Sequence, residues 1–384
     1  MKTPLFSYFI LNRLLILLLG LFSTVLVAHL QTKNIHGDRP IWHFYQGDHT
    51  YTYIQPDNPL VSIWSVWDTK RYISIAEDGY SAQPYPYAKE DNKGFLPMYP
   101  LLMYIFSHAI FSGNTHVAGI FLSNVFLLLA LYYLVQLIRS EPKLKHGVQE
   151  KEVLLYTLLF PTSYYLSAIY PESLFLLLSI LVFYCVRIEK IFLACLFFGI
   201  ACLTKTFGIF LCIPIIFFLF QHRHRVSLSK LLLYTGTLFA LPILYCLHMY
   251  SVSGDPLAYI HMQQTHFRHI WAEPFTVLIK NIISMNPYSL WTSSFIVFGL
   301  ATLGLASRKI PITYTLFGLS YILFTPLTGV IEGSSRYIAS LFVIPIALAV
   351  CIKNEDVRNM VYILFATVQG FAIFWWVAGA GFTS

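Results

Sequence analysis

Five short segments combine acidic, basic and hydroxyl side chains at the ends of apolar stretches, where charged groups are costly and often functional. The segments are residues 67–80, 170–173, 204–208, 254–268 and 332–337. Their carboxylates could act as general bases, and their Lys and Arg side chains could bind phosphate. Tyr and Trp lie among them. This combination suits a ligand with a polar head and an apolar tail.

Each segment also has a simpler interpretation, and the sequence leaves both open. Asp68 could belong to an interfacial helix with solvated charges, and Glu172 could be an acid favoured by the dipole at a helix start. Lys205 could be a snorkelling lysine, Asp255 part of a Gly-Asp-Pro turn, and Arg336 a helix anchor. What favours a shared site is that all five lie on one side of the predicted membrane topology.

Helical spacing predicts two faces for the segment after residue 66. One face carries Asp68, Arg71 and Tyr72, and the other carries Trp67, Ile73 and Ala76. This division is typical of a short helix lying on a membrane.

The composition indicates a multi-span membrane protein. Of 384 residues, 57% are hydrophobic and 11% are charged, against about 25% charged in soluble domains. A water-soluble core, a disordered chain and a disulfide scaffold are thereby excluded. The six cysteines include no CxxC pair, and the histidines at 261, 266 and 269 lack metal-ligand spacing. The net charge of +7 reflects the two membrane faces rather than nucleic-acid binding.

Eleven spans account for the apolar stretches and for the distribution of charge. They are 14–30, 117–138, 153–169, 173–186, 191–204, 207–220, 231–250, 290–306, 310–327, 337–352 and 361–377. With the N-terminus inside, fifteen of the 25 basic residues, Arg13 among them, fall on the cytoplasmic side. We therefore predict an all-α single domain over residues 1–384. Residues 31–113 form a large first outer loop with interfacial helices, in which 96–110 does not cross, and 251–289 form a second.

The order of motifs resembles the PIG-V family of mannosyltransferases. The motifs are WDTKRYISIAEDGY, GFLPMYPLLMYIF, LLFPTSYYLSAIYPESLFLLLS, LTKTFGIFL, GDPLAYIHMQQ and SSRYIASLFVIPIALA. The resemblance, over about residues 64–349, implies a GT-C fold, a polyprenyl-phosphate-mannose donor and an acceptor on the non-cytoplasmic face. It also implies that Asp68 is the catalytic carboxylate. Val66 and Lys205 stand where the family often has Arg, and the compact chain favours a bacterial member.

These residues lead to the hypothesis of a single displacement with inversion. A phosphate leaving group needs cations, whereas the attacking hydroxyl needs a base. Asp68 is the predicted base; Arg336, Lys205 and Arg71 are expected to bind the donor phosphate. Glu172 and Asp255 would orient hydroxyls or a cation, and Trp67, Tyr72 and Tyr80 would stack on sugar. The substrate-binding candidates are thus Trp67, Lys70, Arg71, Tyr72, Glu172, Lys205, Asp255, Arg336 and Tyr337.

The acceptor stays open, as do three other functions: transfer of another sugar or to a protein, a secondary transporter, and an accessory subunit without catalysis. Against a transporter, the sequence has neither repeated halves nor paired charges deep in corresponding spans. No cofactor is required, although a divalent cation is possible. The expected partners are the lipid-linked donor, a lipid or glycolipid acceptor and the bilayer, in a bacterial plasma membrane or, for a eukaryotic chain, the endoplasmic reticulum.

Overall fold

The computed structural model describes residues 5–32, 58–82, 92–224 and 226–379, and all regular elements in these ranges are helical. The helices are α1 (Leu5–Thr32), α2 (Pro59–Ser62), α3 (Thr69–Asp78), α4 (Met98–Ile110), α5 (Thr115–Ser140), α6 (Glu150–Leu159), α7 (Glu172–Arg187), α8 (Ile191–Cys202), α9 (Cys212–Gln221), α10 (Leu228–Ser253), α11 (Ala258–Thr265), α12 (Pro274–Ile283), α13 (Pro287–Ala306), α14 (Ile312–Leu327), α15 (Ser334–Ala339), α16 (Val343–Cys351) and α17 (Glu355–Val377). Two 3₁₀ segments, Ser163–Leu166 and Thr206–Leu211, precede α7 and α9. The all-α prediction is confirmed for these ranges. Residues 33–57 and 83–91 of the predicted first loop lie outside them.

Five helices are long and apolar enough to cross a bilayer: α1, α5, α10, α13 and α17. The hydrocarbon core is about 30 Å thick, which corresponds to about 20 helical residues. All five coincide with predicted spans, so the chain is a multi-pass membrane protein. α4, at 13 residues, is only about 20 Å long. Its predicted place at the outer interface is consistent with that length and stays a prediction.

Two of the predicted spans are interrupted, and proline accounts for both interruptions. Residues 153–169 form α6 and then a 3₁₀ segment, because Pro161 disfavours the helical conformation at Phe160, whose ψ is 135°. Residues 337–352 divide into α15 and α16. Pro345 would interrupt a continuous helix there, but it is tolerated in the first turn of α16. Short stretches of irregular backbone therefore lie inside both of these predicted spans.

One basic residue assigned to the cytoplasmic side has a different position. Arg13 lies within α1, is 9% exposed and contacts the 3₁₀ segment before α7. It is therefore buried against protein within a candidate membrane span, and not a solvated residue before the span. The remaining fourteen basic residues of the cytoplasmic set, of which Lys2 and Arg225 lie outside the described ranges, still outnumber the ten on the outer side.

Helix α3 lies against protein on both of its predicted faces. It packs against α4 and α5, and six of its ten residues are buried. Arg71 and Tyr72 from one face and Ile73 and Ala76 from the other are all buried. The alternative of solvated charges is therefore wrong for Arg71, and α3 forms part of the protein core.

Candidate active site

Asp68 directly precedes α3 and points its carboxylate away from that helix. Its side chain makes no capping hydrogen bond, and Oδ2 instead accepts from Arg336 Nη1 at 2.7 Å. The side chain remains 34% exposed, so a substrate can still reach it. Asp68 is the most accessible of the four charged groups described below.

The backbone on either side of Asp68 is held by Tyr170. The Tyr170 hydroxyl accepts from the Asp68 N–H and donates to the Val66 carbonyl, both at 2.9 Å. Between them Trp67 adopts a left-handed conformation with φ of 55°, which costs a non-glycine residue on the order of 1–3 kcal/mol. A strained turn of this kind persists only when its surroundings hold it, and here Tyr170 does so.

Glu172 is the buried centre of the charge cluster. Its side chain is 1% exposed, and Oε1 lies 2.9 Å from Lys205 Nζ and 3.2 Å from Arg336 Nε. The Lys205 contact is a hydrogen bond, whereas the Arg336 contact is an ion pair without hydrogen-bond geometry. Asp68, Glu172, Lys205 and Arg336 thus form one connected cluster of two acids and two cations, which we call the charge cluster.

Aromatic rings enclose the two cations. Arg336 Cζ lies 5.0 Å from the centre of the Tyr170 ring and 5.1 Å from that of Tyr337. Lys205 Nζ lies 4.5 Å from the centre of the Tyr337 ring. Because these faces are negative, they stabilise cations removed from water. The environment leaves both cations charged but with little solvent to screen them.

Tyr72, predicted to stack on the sugar, is buried among other aromatic rings. Its ring is surrounded edge-on by Phe95, Tyr99 and Tyr170, with centroids 5.3, 5.8 and 5.8 Å away. Burial raises the pKa of Tyr72, and the nearby charge of Glu172 raises it further. Its hydroxyl therefore stays protonated beside the charge cluster, where it can donate a hydrogen bond.

Lys205 reaches the cluster from a tight turn between α8 and the 3₁₀ segment Thr206–Leu211. The turn requires a glycine at 208, because a Cβ there would lie 2.6 Å from the backbone of Ala201 and Cys202. Burial lowers the pKa of Lys205 to about 8, although the charge of Glu172 opposes that shift. The snorkelling interpretation is wrong, since the side chain is only 7% exposed.

Asp255 lies in a separate pair. Its Oδ2 is 2.7 Å from His261 Nδ1, and its Oδ1 accepts from the Leu257 N–H. The second bond matches the turn predicted for Gly-Asp-Pro.

Two cations contact the acids of the charge cluster within the described ranges, namely Arg336 and Lys205. The third predicted phosphate ligand, Arg71, does not make such a contact there. Lys70 is half-buried on α3.

Tyr170 is a site residue that its sequence context does not single out. It occupies the position before Pro171 and Glu172 in a segment already singled out, but tyrosines are frequent in this chain. Its contact with the Asp68 backbone spans 102 positions. Long-range pairing of that kind leaves no signal in local spacing.

A known protein family matches most of the chain. The family model for mannosyltransferase (PIG-V) matches residues 2–274. The chain belongs to the PIG-V mannosyltransferase family. It is therefore a glycosyltransferase, and with its apolar helices a multi-pass membrane mannosyltransferase. The match contains Asp68, Glu172 and Lys205, whereas Arg336 lies beyond it. No curated protein and no solved structure matches the chain significantly.

In this PIG-V mannosyltransferase the charge cluster has the parts that sugar transfer from an anionic leaving group needs. The partly exposed Asp68 carboxylate contacts the Arg336 guanidinium. Glu172 contacts both Arg336 and the second cation, Lys205. A hydroxyl approaching Asp68 would meet a base, and a phosphate beside Arg336 and Tyr337 would meet donors. The cluster is consequently our candidate active site.

Proposed function

We propose that the protein transfers a mannosyl residue from a polyprenyl-phosphate-mannose donor to a lipid or glycolipid acceptor on the non-cytoplasmic face, with inversion. The observation that carries the proposal is the contact of the partly exposed Asp68 carboxylate with the buried Arg336 guanidinium. Base and phosphate-binding cation are then adjacent. A lipid carrier would keep the donor phosphate at the surface of the membrane that α1, α5, α10, α13 and α17 are long enough to cross.

The proposed reaction is one displacement. The acceptor oxygen forms a bond to the anomeric carbon as the bond from that carbon to the phosphate oxygen breaks. The electron pair leaves with the polyprenyl phosphate, and the acceptor proton passes to Asp68. Phosphate is a stable anion, so cations rather than an acid assist its departure.

Inversion is supported by the burial of the second carboxylate. A retaining route by analogy with glycoside hydrolases needs a nucleophilic carboxylate about 5 Å from the first. Glu172 is 1% exposed, and its Oε1 is held by Lys205 and Arg336. We therefore assign Glu172 to positioning the two cations, and not to attack on the sugar.

The donor phosphate would bind on the cation side of the cluster. Arg336 Nη2 lies 3.3 Å from the Tyr337 hydroxyl, so guanidinium and phenol can address the same phosphate. Lys205 would add a second charge. We assign the Asp255–His261 pair to binding of the acceptor substrate. The Trp67 indole N–H is assigned to the same role. That N–H is buried without a partner among the described residues.

The donor can be tested with purified protein in liposomes. Radiolabelled polyprenyl-phosphate mannose and nucleotide-diphosphate mannose are compared, with lipids from a strain lacking the gene as acceptors. We expect labelled glycolipid from the first donor only, with the opposite anomeric configuration by NMR. Transfer from the nucleotide sugar, or retention, would contradict the proposal. A parallel reaction with polyprenyl-phosphate glucose tests whether the enzyme is specific for mannose.

Raising the pH is expected to weaken donor binding through Lys205. Because the pKa of Lys205 is lowered to about 8, its charge is present below that pH and lost above it. KM for the donor should rise as the pH increases through about 8. Lys205→Arg should remove this rise, since guanidinium stays charged, whereas Lys309→Arg at an exposed site should not. An identical pH profile for wild type and Lys205→Arg would contradict the assignment.

A further inference from the structure

Arg13 is a buried cation in a membrane-spanning helix that the proposed reaction does not use. All its hydrogen-bond acceptors are neutral oxygens. Nη1 donates to the Ser163 carbonyl at 3.1 Å and to Ser167 Oγ at 2.9 Å, and Nε donates to Asn12 Oδ1 at 3.1 Å. Nη2 donates to Ser163 Oγ at 3.4 Å and also contacts Asn12. Ionisable residues inside membrane-spanning helices are costly and usually functional.

What Arg13 contacts is the irregular backbone after α6. Pro161 ends that helix and leaves the carbonyls of its last turn without helical partners. Unpaired carbonyls in a membrane cost several kcal/mol each unless other protein groups bond to them. Ser163 supplies two donors from within the segment, its hydroxyl to the Leu158 carbonyl at 2.6 Å and its N–H to the Phe160 carbonyl at 2.9 Å, and side chains from other helices add more.

Gln369 of α17 supplies further donors to the same segment. Its Nε2 lies 3.0 Å from both the Leu158 and Phe160 carbonyls and 2.6 Å from Ser163 Oγ. Ser163 is thus bonded by Arg13 from α1 and by Gln369 from α17. Both side chains are at most 9% exposed.

Asn124 of α5 completes the set by accepting from Ser167 Oγ at 2.8 Å. We call Arg13, Asn124 and Gln369 the polar staple. Three helices from distant parts of the chain converge through it on residues 158–167.

Residues 158–171, which include the carbonyls and hydroxyls bonded by the polar staple, contact the backbone beside two members of the charge cluster, Arg336 and Asp68. Thr162 Oγ1 donates to the Ser335 carbonyl at 2.7 Å, beside Arg336. Farther along, Tyr170 bonds the backbone at Asp68, and the Ile169 N–H donates to the Trp64 carbonyl at 3.0 Å. A shift of the segment would therefore move Asp68 relative to Arg336.

We propose that Arg13 and Gln369 are positioning residues that align Asp68 with Arg336 through the 158–171 segment. The inference rests on the proposed function for its catalytic readout. A displacement of about 1 Å at a reacting group can lower the rate about 100-fold. Neither residue contacts the charge cluster, so kcat should fall while KM for the donor changes little.

The test compares Arg13→Met and Gln369→Leu with two matched controls, Thr24→Val and Thr367→Val. The control residues lie on the same helices, and among the described residues their hydroxyls bond to carbonyls of their own helix, those of Gly20 and Ile363. We expect kcat to fall about 10- to 100-fold in the staple variants and to be retained in the controls. Arg13→Lys, which keeps charge and three donors, should recover part of the loss.

Hydrogen exchange supplies a readout that needs no sugar transfer. In the staple variants, exchange should accelerate in peptides covering 64–69 and 162–172 and stay unchanged in α14. Uniformly faster exchange, or exchange equal to that of the controls, would overturn the inference. Local acceleration with retained kcat would overturn it too. If wild type transfers no mannose, the proposed function fails, while exchange still decides whether the staple positions Asp68.

Discussion

Asp68→Asn is expected to lower mannosyl transfer by about 10²- to 10⁴-fold, the usual contribution of a general base. The amide keeps the shape of the carboxylate but cannot accept the acceptor's proton. It also loses the ionic contact with Arg336, which lies 2.7 Å away in the native protein. Donor KM should change less than kcat, because Arg336 and Lys205 remain.

The measurement is transfer from radiolabelled polyprenyl-phosphate mannose by membranes that contain equal amounts of each protein. Asp78→Asn is the matched control, since Asp78 is at the other end of α3 and is exposed. We expect that control to retain wild-type activity. Undiminished transfer by Asp68→Asn would eliminate Asp68 as the base.

Arg336→Met is expected to abolish detectable transfer and to destabilise the protein by about 1–3 kcal/mol, because the buried Glu172 carboxylate loses one of its two cations. Arg336 contacts both Asp68 and Glu172 and is 8% exposed. Its loss leaves Glu172 with Lys205 alone and removes the proposed phosphate ligand. Arg336→Lys should fold better than Arg336→Met but transfer poorly, because one ammonium cannot replace a planar guanidinium that bridges two carboxylates.

Thermal unfolding in detergent and donor binding separate these two effects. In Arg336→Met/Asp68→Asn, removal of the carboxylate that has lost its cation should restore part of the stability but none of the transfer, since Glu172 keeps its contact with Lys205. Arg308→Met, at an exposed position, is the control and should match wild type in both. The assignment fails if Arg336→Met binds donor as wild type does, or if the double variant recovers activity.

Local sequence patterns were sufficient to predict that this is a membrane protein and where its long helical spans lie. Apolar runs and the low share of charged residues report directly on a bilayer, since lipid imposes the same requirement on every crossing segment. The long helices α5, α10 and α13 lie where hydropathy predicts them. The interruptions at Pro161 and before Pro345 were missed, because the hydropathy of a segment does not change when its helix breaks.

The sequence determined by itself that this is a helical, multi-span membrane protein, and its motifs predicted the mannosyltransferase family that comparison confirmed. It also singled out Asp68, Glu172, Lys205 and Arg336 as separate candidates. Only the tertiary structure decided that these four touch, that Asp255 pairs with His261, and that Arg13 is buried. Contacts such as Asp68 with Arg336 join residues 268 positions apart. Their formation depends on the packing of several helices, which local residue spacing does not encode.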